Sequence, residues 1–565
     1  MFLIDLISIT FVLTLTTITC VGWGKLTARI CRLKIESTNM GQLWLGFAIV
    51  LTLIVLISFF GPINWTSTIG ILIIGTFSFA VQLSQHLNSK LFDKTVKLLL
   101  MPVSVLLILL LAGLWAVKTM ESPTNGDSML YHFNSVRWIN EYGLVAGLGN
   151  LHDRLAFNQS WFDFVAFLNF YPTFNKGYAA AGLFLLCISV VQLFISYRQI
   201  KLPLLVFSVF LIGILKNLSQ ISSPSPDMPA NILQVVISVL ILQLLRENTK
   251  KKDGKELQIT TIVALCVSLA TIKLSGAAFA GTALILTLLI SRSYLSINKF
   301  LIISALSISL YAPHFVRGYL LSGAPLFPST FAAYEKFNWS MDLDAIRETS
   351  NWVYCWARNP GTECMKALGS WEWLGTWWQR FPLHYFVPLL FSSVMIVTPF
   401  IFRKFFSFNK NAVGILLSGI PALTGLIVWF FLAPDPRFLG ATPFVLLGLS
   451  ILFCATTSNF QLKYKQKNIS YALAIVFLFS IVIAPRSLSL NTTKSILSSG
   501  FQAIRSDKYI ESKTISGLLV YTPVTRELCY DSPLPCTPYF DKNLRLERNE
   551  KGYPKFYFTK RNSKK

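Results

Sequence analysis

The side chains of this chain that can move a proton or hold an anion are few, and they gather in short polar stretches between long apolar ones. The densest stretch reads ESPTNGDSMLYHFNSVRWINEYGLVAGLGNLHDRLAFNQSWFDF. It places Asp127, His132, Arg137, Glu141, His152, Asp153, Arg154 and Asp163 within about forty residues. A second isolated acid, Asp227, stands in SSPSPDMPAN. Two carboxylates on one side of a membrane suit a general base for an acceptor hydroxyl and a partner for a metal ion or leaving group. Each acid also has a plainer reading. Asp is a preferred N-cap; Asp127 stands at an expected helix start with Asn125 and Ser128 beside it, and Asp227 precedes Met228-Pro229, an ordinary helix entry.

Three cations fall at expected helix ends: Lys273, Arg437 in APDPRFLG and Arg317 in VRGYLLSGAPLFP. A cation buried there is costly unless an anion meets it, and a phosphate or pyrophosphate would do so. The plainer reading is that each snorkels to lipid headgroups, and Lys216 is a weaker case of the same kind. His132 and His152 do not form a helix-spaced ligand pair, which speaks against zinc. A Mg or Mn ion held by Asp127 and Asp227 would need few protein ligands and stays open. No P-loop, dinucleotide fingerprint or G-x-S-x-G elbow is present, which argues against nucleotide hydrolysis and serine hydrolase chemistry.

The elements that must position these residues are membrane helices. Of 565 residues 53% are hydrophobic and only 13% charged, and the mean hydropathy is +0.56, a balance no water-exposed surface of this size would carry. Apolar stretches of roughly 17–22 residues predict about fourteen helices. They centre on residues 3–23, 41–61, 67–87, 98–118, 178–197, 202–218, 229–245, 258–272, 275–291, 300–316, 384–402, 412–432, 438–456 and 469–485. The break Lys273-Leu274-Ser275-Gly276 fits either a tight hairpin or one kinked element. The first run carries Asp5, no basic flank and no cleavage site, so it reads as a retained anchor rather than a signal peptide.

Lys and Arg bias orients the helices. The loops at 24–40, 88–97, 198–201, 246–257, 292–299, 403–411 and 457–467 together hold 22 basic residues, whereas those at 62–66, 219–228 and 434–437 hold only Arg437. The first set is expected in the cytoplasm, with both termini outside. Six regions follow: four leading helices (1–118), an outer loop with surface helices (119–177), helices five to ten (178–316), an outer Trp-rich loop (317–383), helices eleven to fourteen (384–485) and an outer α+β appendage (486–565). In the first loop Met129, Phe133, Val136, Ile139 and Tyr142 recur at three and four, the pattern of a helix lying on the bilayer.

The net charge of +24 is spread between apolar runs, which suits lipid headgroups or an anionic lipid-linked substrate rather than nucleic acid. Four cysteines fall as close pairs in outer segments, Cys355 with Cys364 and Cys529 with Cys536. They predict two disulfides in an oxidising compartment, the alternative being four free thiols. In the Trp-rich loop, Trp339, Trp352, Trp356, Trp371, Trp373, Trp377 and Trp378 read either as interface anchors or as a platform for sugar rings.

An acidic first outer loop with surface helices, a second outer acid, basic residues at the outer ends of later helices and an appended tail together resemble the GT-C superfamily of polyprenyl-phosphate-dependent membrane glycosyltransferases. The strings YHFNSVRWINEYGLVAGLGNLHDRLAFNQSWF, SSPSPDMPA, RGYLLSGAPLFP, APDPRFLG and CYDSPLPCTPYF, spread over residues 131 to 540, are also similar to a set of multispanning bacterial proteins. The GT-C resemblance implies inverting sugar transfer from a lipid-linked donor, with the first-loop acid, here Asp127, as catalytic base and Asp227 as the second-loop acid. Such enzymes place the catalytic loop after the first helix, whereas here it follows the fourth.

The expectation is therefore an all-α polytopic membrane protein of the bacterial inner membrane, GT-C-like, with a small outer appendage. It would transfer a sugar from a polyprenyl-phosphate donor to an envelope glycan or glycolipid acceptor. Tyr131, His132, Arg137, His152, Arg154, Lys273, Arg317 and Arg437 are the expected substrate-binding residues beside Asp127 and Asp227. A polysaccharide polymerase or ligase would instead depend on Arg317, Arg437 and His152. A lipid-linked glycan transporter should show internal repeats and mid-membrane charges, which the chain lacks.

Overall fold

The computed structural model describes residues 1–34, 39–86, 102–246, 255–361, 366–459, 469–483, 490–504, 508–524, 528–550 and 552–560. The described parts of the fourteen predicted apolar stretches lie largely on helices. Before the first loop come α1 (Phe2–Ile30), α2 (Asn39–Ser58), α3 (Trp65–His86) and α4 (Pro102–Thr119). Within the loop lie α5 (Phe133–Glu141) and α6 (Trp161–Leu168). Then follow α7 (Gly177–Gln199), α8 (Leu204–Leu215), α9 (Asp227–Arg246), α10 (Lys255–Ile272), α11 (Ala277–Ser291) and α12 (Ile297–Ser322). The Trp-rich loop holds α13 (Leu343–Arg358) and α14 (Trp373–Arg380). The chain then forms α15 (Leu383–Ile401), α16 (Lys410–Leu432), α17 (Thr442–Thr457), α18 (Ile469–Ile483) and α19 (Leu490–Ser499). Among the described residues, nine helices are long and apolar enough to cross a bilayer, so the chain is a multi-pass helical membrane protein.

The helix α9 is apolar on all sides and buried along nearly its whole length, as a central helix must be, and it packs against α7, α10 and α16. At the periphery α1, α2 and α3 approach through glycines, as helices in lipid do where small residues let backbones meet. A Cβ added at Gly46 would stand 1.6 Å from the Cys20 carbonyl oxygen, and one at Gly22 1.8 Å from that of Gly75. The break at Lys273 resolves into a hairpin, with a short turn at Leu274–Gly276 and α10 packed along α11.

The first loop differs from a helix lying on a bilayer. Met129, Phe133, Val136 and Ile139 are buried as one stripe, but Asn134, Ser135, Trp138 and Asn140 on the other faces are buried as well, while Tyr142 is exposed. The C-terminal appendage supplies the cover. It is built of two antiparallel hairpins, β1 (Tyr509–Lys513) with β2 (Leu519–Pro523) and β3 (Arg545–Arg548) with β4 (Phe556–Thr559). Tyr530 N donates to Met129 O at 2.7 Å, Phe558 N to Ala146 O at 2.9 Å, and Arg137 Nη1 to the carbonyls of Asp531 and Ser532 at 3.0 and 2.8 Å. The predicted Cys529–Cys536 disulfide is present and flanks Tyr530. The predicted pairing of Cys355 involves Cys364, which lies outside the described residues. The tryptophans divide: Trp373 and Trp377 are buried with Trp429, Tyr385 and Leu439, whereas Trp352, Trp356, Trp371 and Trp378 are exposed.

Candidate functional site

Four connections at one end of the helix bundle meet around two carboxylates. Asp127 closes the turn after α4, and it does not act as a cap, since Asn125 Oδ1 accepts from the Asp127 backbone N–H at 3.0 Å instead. Asp227 opens α9, and there Ser225 Oγ accepts from the Asp227 N–H at 3.3 Å. The local capping work is thus done by neighbours, and both aspartate side chains are left for partners elsewhere.

The turn between α16 and α17 brings the main partner. Asp435 Oδ1 accepts from Arg437 N at 2.8 Å, Pro436 starts a short 3-10 turn, and Gly440 ends it at φ +66. A side chain at Gly440 would meet Gln234 Oε1 at 2.5 Å, so glycine serves both the left-handed backbone and the close approach to α9. Held there, Arg437 Nη1 stands 2.6 Å from Asp127 Oδ2 and Nε 3.7 Å from Asp227 Oδ2. Lys273, at the tip of the α10–α11 hairpin, donates to Asp227 Oδ1, and Arg154 Nη1 stands 3.4 Å from Asp127 Oδ1. The ring of Phe438 lies beside both cations, 4.5 Å from Lys273 Nζ and 5.0 Å from Arg437 Cζ.

Three cations therefore face two carboxylates. Lys216, at the end of α8, lies close by. Its ammonium donates to the hydroxyl of Tyr385 and to the carbonyl of Gly440, neither of them charged. A buried cluster with surplus positive charge favours an incoming anion. Burial alone would raise the Asp127 carboxyl, but Arg437, His132 and Arg154 beside it outweigh burial and hold it below the usual carboxylate range. His132 is fully buried, and burial pushes it down to about 4, so it is neutral at pH 7. Its Nδ1 lies 3.3 Å from Ser128 Oγ, which lies 2.5 Å from Ser223 Oγ and so joins the first acidic loop to the second. Tyr131 packs against His132 with ring centroids 4.4 Å apart.

The remaining expected residues are not brought to this cluster. Arg317 Nη2 stands 3.2 Å from Asp163, and its Nη1 donates to Asn158 Oδ1 at 2.9 Å, forming a separate buried pair. Arg137 is taken by Glu141 at 2.7 Å and by the appendage. His152 lies 3.4 Å from Asp153 and against Tyr539. Arg317, Arg437 and His152, the residues on which a polymerase or ligase would depend, thus pair with different acids, Asp163, Asp127 and Asp153. Among those residues no group of three His, Cys, Asp or Glu side chains is placed to hold a metal ion. A divalent ion between Asp127 and Asp227 would have to displace Arg437 from both carboxylates. Lys216 and Phe438 join the cluster beyond the expected set. Lys216 is visible in the sequence only as a cation at a helix end, and Phe438 only as the neighbour of Arg437.

The fold and this cluster define a multi-pass helical membrane protein with an ion-paired centre at one end of its bundle. The chain belongs to the family described as a domain of unknown function, DUF8201, whose model matches residues 6–444 and so takes in every member of the cluster. No curated protein and no solved structure matches it.

Proposed function

We propose that the chain is an inverting, GT-C-like glycosyltransferase that moves a sugar from a polyprenyl-phosphate-linked donor to a cell-envelope glycan or glycolipid. The observation that carries this reading is Arg437, shared between Asp127 and Asp227 with Lys273 and Arg154 alongside. On this reading the Lys- and Arg-rich short loops face the cytoplasm, and the cluster and both termini lie on the outer side of a bacterial inner membrane.

In this scheme the donor phosphate enters against Arg437, Lys273 and Lys216. Arg437 turns from Asp127 to the phosphate, and the carboxylate that loses its cation becomes a stronger base. Asp127 then takes the proton of the acceptor hydroxyl as its oxygen bonds to the anomeric carbon from the face opposite the phosphate. The bond from that carbon to the phosphate oxygen breaks, and the charge left on the lipid phosphate is met by the same cations. Asp227 is a positioning residue that keeps Lys273 and Arg437 oriented. Arg154 lies 4.8 Å from the ring of exposed Trp352, which stacks on Trp356, and these rings offer an acceptor sugar a face beside Asp127. Profiling envelope glycans in cells that carry Asp127→Asn or Asp227→Asn at wild-type membrane levels tests the scheme. Loss of a defined glycan is expected, and an unchanged profile in both variants refutes it.

A further inference from the structure

A cavity of about 250 Å³ lies where α5, α6 and the start of α7 meet the appendage. Its lining joins three aromatic rings, Phe133, Tyr171 and Tyr178, to the charged side chains of Arg137, Glu141 and Asp531. None of these is a member of the Asp127–Asp227 cluster. The charged groups determine what the cavity can accept. Arg137 is consumed, with Nε on Glu141 Oε1 at 2.7 Å, Nη1 on two appendage carbonyls and 3.5 Å from the Asp531 carboxylate. Two carboxylates against one occupied guanidinium repel a phosphate and leave acceptor oxygens free for hydroxyl donors.

The amides are likewise spoken for. Asn140 donates to the Ile63 and Ala166 carbonyls, and Asn169 donates to Asn140 while accepting from Gly177 N–H. These fix a stiff wall rather than bind. Tyr178 is the exception. It is 3% exposed, its ring packs edge-on to Phe133, and its hydroxyl has no hydrogen-bond partner among the described residues. A buried hydroxyl without a partner is destabilising unless something else bonds to it. We propose that this cavity is a saccharide-binding site, separate from the ion-paired cluster, which takes a neutral sugar ring through its hydroxyls. The aromatic rings meet the apolar face of the sugar, while Glu141, Asp531 and Tyr178 meet its hydroxyls. The volume suits a single ring or a chain end rather than a long segment. This site stands whether or not Asp127 is a catalytic base.

The test is calorimetric titration of the full-length protein in nanodiscs with glucose, galactose, mannose, rhamnose, N-acetylglucosamine and inorganic phosphate. At least one sugar is expected to bind, with affinity lowered about tenfold by Tyr178→Phe and by Glu141→Gln and unchanged by Arg437→Ala. Tyr178→Phe removes only a hydroxyl without a protein partner, so the variant folds. Absence of binding by every sugar overturns the proposal, as does affinity indifferent to Tyr178→Phe and Glu141→Gln. Loss of sugar binding in Arg437→Ala, or competition by phosphate, assigns the ligand to the other cluster and overturns it equally.

Discussion

Arg437 Nη1 lies 2.6 Å from the Asp127 carboxylate across 310 positions of sequence, and the same guanidinium reaches toward Asp227 through Nε. One side chain thus holds together the first acidic loop, the entry to the central helix α9 and the turn before α17. The planar fork of arginine suits this double role, and an ammonium, being a point charge, does not. Arg437→Lys is expected to keep one carboxylate and release the other, so that the envelope product falls at least about tenfold at unchanged membrane abundance. Product at the wild-type level in that variant contradicts the bridging role.

The Asp163–Arg317 pair is expected to be structural. Both side chains are almost wholly buried, so Arg317→Met alone leaves an unpaired carboxylate and costs about 3–5 kcal/mol. Burial already pushes the Asp163 carboxyl above its ordinary range against the opposing pull of Arg317, which marks how dependent it is on that partner. The double variant Asp163→Leu with Arg317→Met should recover most of the loss in a detergent melting series and keep its glycan product. A double variant that folds but makes no product would return Arg317 to the donor site.

The disulfide that flanks Tyr530 holds the appendage on the first loop. Replacing Cys529 and Cys536 by serine opens a loop with a sequence separation of 7, and the chain-entropy relation assigns that about 2 kcal/mol. The expected result is protease cleavage within residues 508–560 at a lower temperature than in the wild type, with the helical bundle intact. Equal protease resistance in the two proteins would contradict it.

His152 gives a pH signature. Burial holds its imidazole at about 4, below the ordinary 6.5, with Asp153 opposing. A histidine depressed in the folded state lends stability that is full above the unfolded value and is lost as pH falls through the folded one. Melting temperature should therefore drop between pH 6.5 and pH 4, and His152→Asn should lessen that drop. A slope unaltered by the substitution would show that other groups govern it. Asp127, held below the usual carboxylate range, should keep its pairing with Arg437 across the same window.

Long apolar runs are legible because a bilayer imposes one length and one composition on every span, and the described parts of those runs are largely helical, nine of the helices being long and apolar enough to cross. The Lys273 break was ambiguous because its four residues contain a single charge and no proline. Asp127, Asp227, Lys273 and Arg437 stand out as isolated charges on alternate connections, and alternation alone places them on one face. Arg317 stands out by the same rule yet belongs elsewhere, because its partner Asp163 sits inside the apolar string WFDFVAFL and nothing in the spacing pairs the two. The helix around Met129 has the stripe of a surface helix, and only tertiary contacts such as Tyr530 N to Met129 O reveal that its polar face is covered.

The central claim is that the cations around Asp127 and Asp227 receive a lipid phosphate. A cryo-electron microscopy structure of the protein in nanodiscs containing a polyprenyl phosphate tests it most directly. Phosphate density is expected within about 3 Å of Arg437 and Lys273, with Arg437 withdrawn from Asp127. Phosphate bound elsewhere, with the Arg437–Asp127 contact intact, would contradict it.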